Sequence, residues 1–197
     1  MKKVETQGVT YIEPLEGSDE WYWGMDYTSG DLYEAEELFN QGHPVSQNKL
    51  FFIHYPDGKV FQPIVAKKGQ YLGQPIYYHN KIIILMVDFS LRKIEIMQFD
   101  DMLKQVTVLT DISLSTVKDC YNLMLKKSPL MLTRQGSDNE FQILWLENTV
   151  FDIGDTESFL LRINEKLYFS AWYEDPEYRE EIIVRKMDTG EIISKTS

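Results

Sequence analysis

The chain has few of the residues that do covalent, redox or metal chemistry. Its 197 residues include one cysteine, Cys120, and three histidines, His43, His54 and His79. A single thiol cannot close an intramolecular disulfide, and there is no cysteine pair to hold zinc. Asp119, directly before Cys120, disfavours the thiolate that a nucleophile needs. The histidines fall after a helix, near a hairpin end and in a turn, and nothing in their spacing brings them together. The chain contains no glycine-rich phosphate loop, paired-histidine zinc helix, calcium loop or nucleophile-elbow serine. No catalytic residue, metal site or cofactor is therefore assigned, and the balance falls against an enzyme.

Two further shortages narrow the class. The longest aliphatic run is Ile82 to Val87, far too short to cross a bilayer. Lys2 and Lys3 have no apolar stretch behind them, so the amino terminus does not read as a secretory leader. With the lone thiol, this points to the cytoplasm. Positive charge is also scarce, with 20 Lys and Arg against 31 Asp and Glu and a formal net charge of −11. Such a surface repels phosphate backbones and anionic membranes, which removes nucleic acid and membrane as partners and leaves a basic protein or a small ligand. The hydrophobic content of 43% is that of a globular protein, and the length suits one domain over residues 1–197.

Composition changes near residue 48. The first part is irregular, rich in aromatics, and carries one helix. Asp31 is a good N-cap with Glu34 three positions on, as in a capping box. Leu32, Ala35, Leu38 and Phe39 share one face, Gly42 can take the left-handed position after the helix, and Pro44 blocks continuation. From residue 49 strand signals dominate. Leu50 to Tyr55 and Val60 to Val65 flank Pro56-Asp57-Gly58, which reads as a hairpin.

The region from Pro75 onward repeats itself. Ile76 to Tyr78, Ile82 to Phe89, Ile94 to Phe99 and Val106 to Leu109 form one set of four strands. Phe159 to Ile163, Leu167 to Tyr173, Ile182 to Met187 and a strand from Ile192 form another, with Lys81 matching Lys166 and Asp100 matching Asp188. A weaker copy runs from Tyr121 to Ile153. Each unit is roughly 40–45 residues, the length of a propeller blade. Ile82, Ile84 and Met86 point one way and Ile83, Leu85 and Val87 the other, so this strand needs cover on both faces. The hairpin, with a strand near Val9 to Ile12, supplies a fourth and irregular unit.

The fold class is therefore mainly β: a small β-propeller-like or stacked antiparallel meander of three to four four-stranded units, with one short N-terminal helix. A sandwich or a single curved meander is the alternative. The repeat resembles degenerate β-propeller blades, and the chain is similar to uncharacterised bacterial proteins of that pattern. The motifs are a turn ending in lysine, an aliphatic strand, and a strand ending in an acidic residue. The glycine-histidine and tryptophan-aspartate signatures of WD40 repeats are absent, so the resemblance implies a fold and carries over no functional residue.

Two segments stand out as candidate sites. Glu20 to Tyr27 interleaves Trp21, Trp23 and Tyr27 with Asp26 in a segment that reads as a loop. With Trp172, these residues can stack on a planar ligand, or the indoles can serve as core plugs. The run Tyr173 to Glu181 is the densest in acid, and Glu174, Asp175 and Glu177 are candidates for contact with a basic partner; a solvated hairpin loop is the plainer reading. The functional expectation is a non-enzymatic binding module. The alternatives are a hydrolase, for instance one acting on glycosides, with carboxylates drawn from Asp26, Glu34, Asp88 and Glu174, and a neutraliser of a basic toxin or nuclease.

Overall fold

The computed structural model describes residues 3–196; the Lys2 of the leader reading lies outside them. Its contacts divide the chain into two compact units, Met1–Asp119 and Cys120–Ser197. Each unit contains two antiparallel sheets built as meanders of sequential strands.

In the first unit, the first sheet is β1 (Glu13–Pro14), β2 (Trp21–Met25), β3 (Gln47–His54) and β4 (Lys59–Lys67), in that order. Helix α1 (Leu32–Asn40) lies between β2 and β3 in the chain. The second sheet contains β5 (Gln70–Leu72), β6 (Ile76–Tyr78), β7 (Lys81–Asp88), β8 (Lys93–Asp100) and β9 (Gln105–Ser113). β5 and β6 both pair with β7, against its late and early halves, so together they form one strand position interrupted around Gly73.

The second unit holds the third sheet, β10 (Met124–Lys127), β11 (Leu130–Gln135), β12 (Glu140–Trp145) and β13 (Thr149–Asp152). The fourth sheet is β14 (Glu157–Ile163), β15 (Lys166–Tyr173), β16 (Arg179–Lys186) and β17 (Ile192–Thr196). The expected set of blade-like antiparallel meanders is thus present, and there are four of them.

Local chemistry explains the helix ends. Asp31 Oδ1 accepts hydrogen bonds from the main-chain N–H of Tyr33 (2.9 Å) and Glu34 (3.0 Å). The other half of a capping box is superseded, because the Asp31 N–H donates to the Thr28 carbonyl. Gly42 has φ 78°, and the N–H groups of His43 and Gly42 donate to Leu38 and Phe39. This is the Schellman pattern, which satisfies carbonyls the helix leaves free.

Three readings of the sequence are corrected. The break near residue 48 is not a structural boundary, because β2 pairs with β3 from Trp21↔His54 to Met25↔Leu50. Val9 to Ile12 is not a strand; it lies across the first sheet at Gly24. A Cβ on Gly24 would come within 2.5 Å of Ile12 Cδ1 and 2.7 Å of the Tyr11 carbonyl oxygen. Finally, strand pairing shifts the proposed repeat. Ile82 pairs with Phe99, whereas Lys166 pairs with Lys186. Matching Lys81 to Lys166 therefore sets Asp100 against Lys186, two residues before Asp188. A slip of two keeps every side chain on its face, which is why the hydrophobic pattern concealed it.

The interior of the first unit joins its two sheets. Trp21, Trp23 and Met25 of β2 and Leu50 and Phe52 of β3 meet Ile82, Ile84 and Met86 of β7 and Met97 and Phe99 of β8. Ile83, Leu85 and Val87 on the opposite face of β7 are buried too. The interior of the second unit is a phenylalanine cluster. Phe141 packs on Phe159 and Phe169 at 5.1 Å each, and Met131, Leu167, Ala171 and Ile183 surround it. Burying a large apolar side chain of this kind contributes about 1.5–3 kcal/mol.

Candidate functional site

The fourth sheet has one face in this interior and one outside it. Leu167, Phe169 and Ala171 of β15 point inward, with Ile183 of β16. On the same side the Arg185 guanidinium meets Glu157 bidentately, Nε to Oε2 at 2.9 Å and Nη2 to Oε1 at 2.6 Å, and Nη1 donates to the Gly190 carbonyl. Both partners are buried. The pair ties β14 to β16 across β15, and its charges are matched by direct hydrogen bonds.

Strand alternation sends the intervening residues to the other face. There Leu161 pairs with Tyr168, Tyr168 with Val184, Ser170 with Ile182, and Trp172 with Glu180. Trp172 is 47% exposed, Ile182 39% and Leu161 37%, with Ile163 at 51% toward the end of β14. An aromatic ring and several aliphatic side chains are thus contiguous on one solvent-facing sheet surface, bordered by polar Ser158, Ser194 and Thr196.

The acidic hairpin adjoins the Trp172 end of this face. Arg179 to Glu181 already belongs to β16, so the loop is shorter than the acid-rich run suggests. Charged residues at the open end of a hairpin read as loop by composition although they continue the ladder, Tyr173↔Arg179 and Trp172↔Glu180. Arg179 organises the turn. Its guanidinium lies over the Tyr173 ring at 4.5 Å, Nη1 donates to the Asp175 carbonyl at 2.8 Å, and Nε donates to Glu181 at 3.2 Å. Tyr178, 66% exposed, donates its hydroxyl to Glu180, whose carboxylate pushes the phenol pKa upward. Among the described residues no cation pairs with Glu174, Glu177 or the Asp175 side chain. All three carboxylates face solvent beside the apolar patch.

The other sequence candidates are dispersed. Trp21 and Trp23 are only 4% and 6% exposed. They sit on strand β2, not a loop, and pack into the interior, with the Trp21 ring 4.8 Å from His54 and 5.5 Å from Phe61. Of the two readings open for these indoles, ligand stacking and core plug, their burial is that of the core. Asp26 is exposed, but its Oδ1 accepts from Lys49 N at 2.8 Å and Asn48 Nδ2 at 3.2 Å, fixing the crossing into β3. Tyr27 is partly exposed in the first unit, and Trp172 belongs to the second. Of the hydrolase carboxylates, Asp88 is buried and holds Gln70 Nε2 and Leu91 N, and Glu34 lies exposed in the first turn of α1. Among the described residues no group of three or more His, Cys, Asp or Glu is placed to hold a metal ion. No helix among them is long and apolar enough to cross a membrane.

What the sequence missed is that Trp172 shares the outer face of the fourth sheet with Tyr168, Ile182 and Leu161. The available signal was the alternation of Tyr168, Ser170 and Trp172 against Leu167, Phe169 and Ala171.

No family model matches this chain, and no curated protein matches it. Among solved structures it is similar to the crystal structure of Sqt1 from Saccharomyces cerevisiae, at 9% identity and a TM-score of 0.46. That match covers 90% of this chain and 45% of the other, so the chain spans less than half the length of the structure it resembles.

Proposed function

We propose that this protein is a non-enzymatic binding module that docks a basic protein on the outer face of its fourth sheet. The observation that supports this reading most directly is the apolar patch of Trp172, Ile182 and Leu161 beside the unpaired carboxylates of Glu174, Asp175 and Glu177. Contiguous apolar surface rimmed by polar groups is characteristic of interaction sites. An aromatic anchor next to uncompensated charge gives affinity at the centre and steering at the rim. The partner is basic because the loop and the whole chain are acidic.

The test is site-specific photocrosslinking in cells, with the reactive group at position 172 and a control at Val108 on β9. The crosslinked protein is identified, purified and titrated. The reading requires it to carry a basic surface, to bind more weakly as salt rises, and to lose about tenfold in affinity to Glu174→Lys/Glu177→Lys. A partner that binds wild type and both charge reversals equally, or one that crosslinks equally at 108, would overturn it.

A further inference from the structure

The first unit has a groove that the protein-binding reading does not use. It measures about 620 Å³ and runs between β4 and the β8–β9 turn, within the size range of small-molecule sites, roughly 300–1,000 Å³. Its floor includes the rings of Phe61 and Phe99, with centroids 5.7 Å apart. Behind them lie Trp21 and Phe52, at 5.5 Å from Phe61 and 6.2 Å from Phe99. The floor is therefore held by the packed interior and does not need a ligand to assemble it.

The rim has a specific charge arrangement. Lys59 Nζ is held by Asp57 Oδ2 at 2.8 Å, and the charge of Asp101 acts on Lys59 and on Tyr77. Lys104 lines the groove and has no ion-pair or hydrogen-bond partner among the described residues. In a chain of net charge −11, an unneutralised ammonium beside an aromatic floor is an uncommon combination. It complements a flat apolar body that carries one negative charge.

The wall indicates what kind of molecule enters. β4 is an edge strand, where an extended peptide would normally add by main-chain hydrogen bonding. Pro63 in the groove wall has no N–H to offer, and the β3–β4 ladder is irregular between Leu50 and Phe52, opposite Gln62 and Pro63. Prolines and bulges are the features that close an edge to strand addition. The occupant is therefore a small molecule.

We infer that this groove is a binding site for a small aromatic carboxylate, its ring on Phe61 and Phe99 and its carboxylate at Lys104. Gln62 supplies an amide at the same wall.

The experiment follows amide resonances of the full chain by two-dimensional NMR during titration with 2-naphthoate, neutral 2-naphthamide and cationic 2-naphthylmethylamine. Saturable shifts at Val60, Phe61, Phe99 and Met102 to Lys104 with the carboxylate are expected. The amide and the amine should bind about two- to fivefold more weakly, the scale of one solvent-accessible ion pair. Lys104→Glu should abolish the carboxylate shifts, Lys104→Gln should weaken binding to the level of the amide, and both spectra should otherwise overlay the wild type. Trp172→Ser, on the fourth sheet, should leave the titration unchanged. The proposal fails if none of the probes shifts these resonances, if all three bind equally, or if the shifts fall on β14 to β17 instead.

Discussion

The first and fourth sheets each pack one face against the neighbouring sheet of their own unit, and they differ in what becomes of the other. On the first sheet, Val9 to Ile12 crosses the free face, Gly24 makes room for it, and Phe51, paired with Gly24, is 1% exposed. On the fourth, the corresponding alternation delivers Trp172, Ile182 and Leu161 to solvent. The chain thus shows both how a blade-like sheet is closed by a local segment and what such a sheet presents when none is laid on it. The open face lies beside the unpaired acidic loop, and this is why we place function there.

The largest effects should come from the closed faces. Glu157→Ala leaves the buried Arg185 without its carboxylate and should cost about 3–5 kcal/mol, read as a lower midpoint in urea unfolding. Replacing both by Met should recover most of that loss. If Glu157→Ala were neutral, the inner face of the fourth sheet would not depend on the pair. Phe51→Ala should cost a similar ~3–5 kcal/mol through the cavity it leaves, since Phe51 is 1% exposed. Gly24→Ala should cost about 1–3 kcal/mol, because the new Cβ displaces Ile12 and the Tyr11 carbonyl. Hydrogen exchange should then rise over residues 9–12 ahead of the rest.

The open face should behave in the opposite way. Ile182→Ser should change stability by only about 0.5 kcal/mol while weakening capture of the partner found by crosslinking at position 172. A loss comparable to that of Phe51→Ala would show that Ile182 belongs to the core, and the comparison would collapse.

How far the sequence revealed this differs between the two sheets. The β7 to β9 meander was legible because Ile82 to Val87 is apolar at every position and Gly73 and Pro75 punctuate the way into it. Strand β2 was not, since Glu20, Gly24 and Asp26 gave it the composition of a loop; the large–small alternation of Trp21, Trp23 and Met25 against Gly24 was the signal to follow. The acidic candidates Glu174, Asp175 and Glu177 were visible as charge. Their neighbour Trp172 was visible as an aromatic but not as an exposed one, because exposure depends on what covers a face, and one strand's sequence does not contain that information.

The smallest effect concerns exposed acid at two turns of the first unit, where the carboxylates of Asp57 and Asp100 have lysine partners. Asp57 accepts from Lys59 and its main-chain N–H, with His54 Nδ1 at 3.0 Å, and Asp100 pairs with Lys81 while accepting from Met102 and Leu103 N–H. Hydrogen bonds from these lysines are the leading cause holding both carboxyls below the ordinary aspartate range. A folded-state pKa below the unfolded value stabilises fully at neutral pH, and the contribution is lost as pH falls from the ordinary aspartate range through the depressed folded value. Wild type should therefore lose Tm more steeply on acidification below about pH 4 than Asp57→Asn/Asp100→Asn. The difference should be small and should shrink in high salt, because both sites are open to solvent.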